Sequence, residues 1–158
     1  MFPTRILLAT DGSEDSELAA WTAVDLFKNT GSELHVVYVG EFLPTIFAHT
    51  ETQPAGLERE ARKLLEEQLN RVEAHGGTVT EAHLRLGEAD TEIVALAEEI
   101  GVDLIVVGSR GRSPLKRTLM GSVSDSVVRH AHCPVLVVRG GDRRQSAVER
   151  VANERGRA

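Results

Sequence analysis

Two short segments rich in glycine and serine could hold an anion with backbone chemistry. Gly108-Ser109-Arg110-Gly111 is followed, nine residues later, by Gly121-Ser122-Val123-Ser124. Glycine has no Cβ, so neighbouring N–H groups can approach a bound group closely. A helix starting near Gly121 would add unpaired N–H donors and the positive end of a helix dipole, a favourable seat for phosphate. The hydroxyls of Ser122 and Ser124 could add hydrogen bonds. Taken alone, these residues describe a tight turn and a capped helix equally well, because glycine and serine are ordinary in both. The stretch 108–122 also carries Arg110, Arg112, Lys116 and Arg117 with no acid, a local charge of +4. These cations are expected to attract a small anion rather than to pair with surface acids. A third candidate is Asp11, which could accept hydrogen bonds from a ribose or from water on a Mg²⁺ ion, or could cap the helix after it.

Those residues need elements to position them. Short apolar, β-branched runs alternate with amphipathic stretches, the pattern of βα units and a parallel sheet. Strands are predicted at 5–10, 34–39, 78–86, 103–107 and 135–139. The third is expected to turn Ala82, Leu84 and Leu86 inward. A first helix follows the Asp11-Gly12-Ser13 turn, with Ala20, Val24 and Phe27 inward and a stop at Gly31. A loop over 40–56 leads to a second helix burying Leu57, Ala61, Leu64 or Leu65, Gln68 or Leu69, and Val72 before Gly76-Gly77. Further helices are predicted at 90–100 and from about 121 to 130. The expected fold is α/β, a single open five-stranded parallel sheet of order 3-2-1-4-5 with helices on both faces. In such a sheet the ligand crevice lies beyond the carboxyl ends of the strands, between strands 1 and 4, which makes the Asp11 turn and the Gly108 loop neighbours. The end of strand 2, at Val39, flanks the same crevice and could offer backbone groups to a purine.

Composition narrows the function classes. The 158 residues hold 18 Lys+Arg against 24 Asp+Glu, with 4% aromatics. Residues 41–103 carry 14 acids and 5 bases, a net of −9, so a polyanion would be repelled over most of the surface and nucleic-acid binding is not expected. No apolar run approaches the ~20 residues that span a bilayer, and no secretory signal is evident. The one cysteine, Cys133, allows no intramolecular disulfide. A cytoplasmic protein is expected, with one domain over 1–139 and a solvated, Arg-rich tail over 140–158.

The glycine spacing matches neither G-x-x-x-x-G-K-[ST] nor G-x-G-x-x-G. It does match G-x2-G-x9-G-[ST] through Gly108, Gly111, Gly121 and Ser122, and this resembles the ATP-binding signature of the universal stress protein family. The segments ILLATDGSEDS, LHVVYV, DLIVVGSRG and GSVSDSVVRHAHCPVLVV extend the resemblance over residues 5–139. The resemblance implies a Rossmann-like fold holding ATP with Mg or Mn. Ala9 would line the purine pocket, Thr10 and Asp11 would lie near ribose and metal, and Val39 would meet adenine through its backbone. Gly108, Ser109, Arg110, Gly111, Gly121, Ser122, Val123 and Ser124 would surround the phosphates, with Asp11 reaching the metal only indirectly. It also implies a homodimer paired through the last strand, Val135 to Val138, whose apolar edge is otherwise exposed.

Other reactive groups carry less. His130 and His132 do not share a helix face, so interaction with a helix carboxyl end is expected of them rather than metal ligation. His35, His49, His75 and His83 are scattered without ligand spacing. Cys133 reads as a small core residue, Trp21 as a packing residue, and no G-x-S-x-G occurs. Phosphoryl transfer needs a group to orient the nucleophile, and no base can be nominated. The expectation is therefore a nucleotide-dependent sensor or regulator in the stress response, read by an unknown protein partner, with no catalytic residues. The alternatives are a slow Mg-dependent ATP hydrolase or phosphotransferase, and a module for AMP or a cyclic nucleotide.

Overall fold

The computed structural model describes residues 2–41, 54–110 and 121–140. Its elements are β1 (Arg5–Thr10), α1 (Glu14–Thr30), β2 (Glu33–Gly40), α2 (Pro54–Ala74), β3 (Glu81–Leu86), α3 (Ala89–Ile100), β4 (Leu104–Gly108), α4 (Ser122–His130) and β5 (Val135–Val138). All strand pairs are parallel, as the alternating pattern predicts, and the order is the expected β3-β2-β1-β4-β5.

Every crossover places a helix on the sheet, so the inner strands are covered on both faces and read as continuous apolar runs. Alternation along β1 divides its side chains between two cores. Ile6 and Leu8 pack with Val36 and Val106 against Ala19, Ala23 and Val24 of α1 and Ala61, Leu65 and Val72 of α2. Leu7 and Ala9 pack with Val37, Ile105 and Val107 against Ile93, Leu96 and Ala97 of α3 and Val127 of α4. The alanines of α1 let that helix lie close to the sheet. A Cβ on Gly108 would sit 2.7 Å from the Asp15 carbonyl carbon and the Ser16 nitrogen, so β4 can run under the first turn of α1 only with glycine there.

The structure differs from expectation at several boundaries. β3 starts at Glu81 rather than at 78, because Thr80 still serves the turn: its N–H donates to the Leu34 carbonyl and its hydroxyl accepts from the Leu34 N–H. Ala82 is exposed, since β3 is an edge strand, while Leu84 and Leu86 do pack on the core. The second helix begins at Pro54, taking in the last three residues of the expected loop. Trp21 is 40% exposed and stacks on the His75 ring, centroids 5.2 Å apart, rather than entering the core.

The amino ends of β1 and β4 are tied by Asp103. Its carboxylate accepts from the Thr4 N–H (2.9 Å), the Thr4 hydroxyl (3.0 Å) and the Arg5 N–H (2.9 Å). Partial burial alone would push this carboxyl up, but the bonds from Arg5 and Thr4 outweigh it and hold it below the usual range.

Candidate functional site

The carboxyl ends of β1 and β4 lie side by side, and the loops leaving them touch: the Ser13 hydroxyl donates to the Arg110 carbonyl at 3.3 Å. The expected neighbourhood of the Asp11 turn and the Gly108 loop is therefore present, at the point where the sheet reverses its winding.

On the β1 side, the helix start is closed by its own side chains. Ser13, not Asp11, is the cap of α1: its hydroxyl accepts from the Ser16 N–H at 3.3 Å. The Asp11 carboxylate instead accepts from the Ser13 N–H at 2.9 Å, an Asx turn that shapes the loop. The first turn of α1 carries Glu14, Asp15 and Glu17, which favour the positive end of the dipole. Thr10 is buried and its hydroxyl donates to Gln68 Oε1 of α2 at 3.1 Å, so that proton is spent inside the fold. Ala9 is buried and Val39 half-buried on the opposite face of the sheet, both toward α3 and α4.

On the β4 side, Ser109 organises the turn. Its hydroxyl donates to Asp15 at 2.6 Å, and its carbonyl accepts from the Gly121 N–H at 2.5 Å and the Ser124 hydroxyl at 2.8 Å. Ser124 is buried and Ser122 exposed. α4 begins after Gly121, which has φ −61° and ψ 154° and provides no side-chain cap. The first turn of α4 thus keeps backbone donors, including those of Ser122 and Val123, that no capping side chain claims among the described residues. Arg110 brings its guanidinium 3.9 Å from the carboxylate of the buried Asp15. Gly111, Arg112, Lys116 and Arg117 lie outside the described residues.

Asp15 escaped sequence reasoning. It is buried, and besides Ser109 it accepts from the Gly140 N–H at 3.1 Å, joining α1 to the ends of both β4 and β5. In sequence it resembles any acid in a helix's first turn. Also unexpected is a cluster of two histidines toward the amino ends of β2 and β3: His35 and His83, read above as scattered, lie with their rings stacked and Nδ1 of one 3.1 Å from Nε2 of the other. Burial pushes the His83 imidazole below its usual range, with Glu81 opposing and His35 and Arg85 reinforcing the shift. Burial pushes the Cys133 thiol up, which fits a packed side chain and not a nucleophile. His130 sits at the carboxyl end of α4 with Nδ1 2.8 Å from the Ser126 carbonyl, as a helix-end role predicts, whereas His132 pairs with the Glu98 side chain of α3 at 2.7 Å.

Sheet order, crossovers and a glycine-started helix at the switch point define a doubly wound α/β protein with its crevice between β1 and β4. Residues 3–139 match the universal stress protein family, and the chain belongs to that family. It is similar to universal stress protein MJ0531 of Methanocaldococcus jannaschii, 33% identical over 138 residues that cover 85% of this chain and 81% of the relative. It is also similar to universal stress protein YxiE of Bacillus subtilis, 36% identical over 148 residues that cover 85% of this chain and 98% of that one. Among solved structures, a universal stress protein in complex with cAMP has TM-score 0.68 and 26% identity, covering 87% of this chain and 98% of its own. The Archaeoglobus fulgidus universal stress protein in complex with dAMP has TM-score 0.63 and 26% identity, covering 87% and 99%. Among the described residues no helix is long and apolar enough to cross a membrane.

Proposed function

We propose that this protein binds ATP in the crevice between β1 and β4 and acts as a nucleotide-dependent regulator in the stress response, in the cytoplasm. The observation that carries the reading is the first turn of α4, opened by Gly121 and held against β4 by Ser109, where backbone donors remain for a phosphate group. Ala9 and the backbone at Val39 would meet the purine, Thr10 and Asp11 the ribose, and Gly108, Ser109, Arg110, Gly111, Gly121, Ser122, Val123 and Ser124 the phosphates. Asp11 suits an indirect role toward Mg or Mn: it is half-buried at the rim, and one carboxylate oxygen serves the Asx turn while the other has no hydrogen bond among the described residues. The metal would supply charge neutralisation of the phosphates. The protein would dimerise through β5, which pairs only with β4 among the described residues and leaves Val135, Leu136 and Val137 half-buried. One observation favours a second reading, a monophosphate or cyclic nucleotide as ligand: two solved relatives are complexes with cAMP and dAMP.

Equilibrium titration with ATP, ADP, AMP and cAMP, with and without Mg²⁺, separates the two. ATP is expected to bind most tightly and to weaken as salt rises, because exposed charges are screened over ~8 Å at physiological ionic strength. Gly121→Val should lose at least about tenfold in ATP affinity, ~1.4 kcal/mol. The backbone angles at Gly121 suit any residue, and circular dichroism checks that the buried position tolerates the larger side chain. Equal affinity in a folded Gly121→Val protein would remove the site from α4, and AMP binding as tightly as ATP would favour the second reading.

A further inference from the structure

β2 opens Glu33-Leu34-His35 and β3 opens Glu81-Ala82-His83, the same Glu-x-His triplet on two adjacent parallel strands. Residues two apart on a strand share a face, so each triplet presents its carboxylate and its imidazole together. The register sets His35 opposite Glu81 and Val37 opposite His83, which brings the two histidines into diagonal contact on the face covered by α3.

The resulting geometry suits a metal ion. One donor atom each from His35, Glu81 and His83 lie within 4.8 Å of one another. The His35 Nδ1 to His83 Nε2 distance is 3.1 Å. Two nitrogens held at ~2.0–2.1 Å on one tetrahedral ion are about 3.3 Å apart, close to this spacing; with the ring centroids 5.4 Å apart the nitrogens meet head-on, so each ring has to turn by roughly 40° to bring its lone pair onto a shared ion. Tautomers follow from the neighbours. Glu33 accepts at 3.3 Å from Nε2 of His35, and a carboxylate can only accept, so the His35 proton is on Nε2 and its Nδ1 presents a lone pair. Glu33 is itself fixed by Arg5 at 2.5 Å. A carboxylate orienting the far nitrogen of an imidazole is the usual outer support of a histidine metal ligand. Without metal, His83 Nε2 donates to His35; with its proton on Nδ1 instead, Nε2 also presents a lone pair, at no change in charge. The surroundings admit a cation: the Glu81 side chain is 63% exposed and opens the cluster to solvent. The nearby Arg85 is engaged by Glu92 and Glu99.

We propose that His35, His83 and Glu81 form a site for zinc or a similar borderline divalent cation, with Glu33 as its positioning residue and the fourth position open to water. It sits toward the amino ends of the strands, about 13 Å along β2 from Val39, and is independent of the nucleotide reading.

Zinc titration of the full chain by calorimetry, combined with ¹⁵N NMR of the imidazoles, tests it. One equivalent of Zn²⁺ should shift the His35 and His83 ring nitrogens before those of His130 and His132, and should raise the melting temperature. His83→Gln should weaken that binding at least about a hundredfold, and Glu33→Gln by about ten- to a hundredfold as an outer partner. Glu81→Gln, on an exposed side chain that leaves the fold intact, should weaken it at least about tenfold and keeps the test decisive if His83→Gln fails to fold. Unchanged zinc affinity in Glu81→Gln, first shifts at His130 and His132, or no shift at His35 and His83 would each overturn the proposal and leave a ring-to-ring hydrogen bond.

Discussion

Two helices begin at the same crevice, and their first turns are finished in opposite ways. α1 closes itself: Ser13 takes the Ser16 N–H, Asp11 takes the Ser13 N–H, and three acids sit at the positive end of its dipole. α4 starts on Gly121, with no capping side chain, and is anchored instead through backbone and hydroxyl bonds to the Ser109 carbonyl. A helix start that supplies its own acceptors has little left for an incoming anion, whereas one started by glycine still needs an acceptor. The contrast teaches that equal proximity to a crevice does not make two helix starts equal as anion sites. It also separates glycines that look alike in the signature. Gly108 is required by the close passage of β4 beneath α1, a packing demand inside the fold, while Gly121 has backbone angles open to any residue.

The largest expected effect tests that separation. Gly108→Ala should cost about 3 kcal/mol of stability by urea denaturation, at the upper end for overpacking, because the new methyl meets backbone that cannot swing aside. Stability close to wild type would mean that α1 lifts easily from β4, and the packing account would fail. A smaller effect concerns the closed helix start. Ser13→Ala should cost about 1 kcal/mol as a lost cap and, because the same hydroxyl also donates to the Arg110 carbonyl, should lower ATP affinity less than Gly121→Val does. A loss of affinity matching that of Gly121→Val would break the comparison, since both helix starts would then serve the ligand. The smallest effect is expected far from the crevice, at Asp103, where a carboxylate also saturates chain-start amides. Its folded pKa is lowered, so its contribution is present above the ordinary carboxylate value of ~3.9 and is lost as pH falls through the folded value. Asp103→Asn should therefore be less stable than wild type at pH 7, with the gap narrowing as the pH falls below ~3.9. An unchanged gap at pH 3 would show that hydrogen-bond geometry, not charge, holds the site.

The parallel sheet and the helix placement were legible because parallel strands covered on both faces leave long apolar runs, as in Ile6 to Ala9, and because Gly31 stops a helix with a positive φ angle. The crevice was legible for a topological reason, since winding order alone puts β1 beside β4. What escaped was whatever depends on register and on burial of polar groups. Asp15 looks like a dipole-favoured surface acid until Ser109 and Gly140 are seen to donate to it. His35 and His83 lie 48 positions apart, and only the β2–β3 register unites them. The repeated Glu-x-His triplet was a usable signal once both runs had been assigned to neighbouring strands.

The bonds to Asp15 span 94 residues to Ser109 and 125 to Gly140. Contacts of such separation close long loops, and their entropic cost is met only when the intervening chain is already in place. The crevice is thus among the last features a folding chain can assemble: β1 and α1, made early in synthesis, cannot form it before β4 and β5 arrive. A molecule stalled halfway has a helix start and a strand tip but no crevice, so occupancy of the crevice would report a chain that has finished folding.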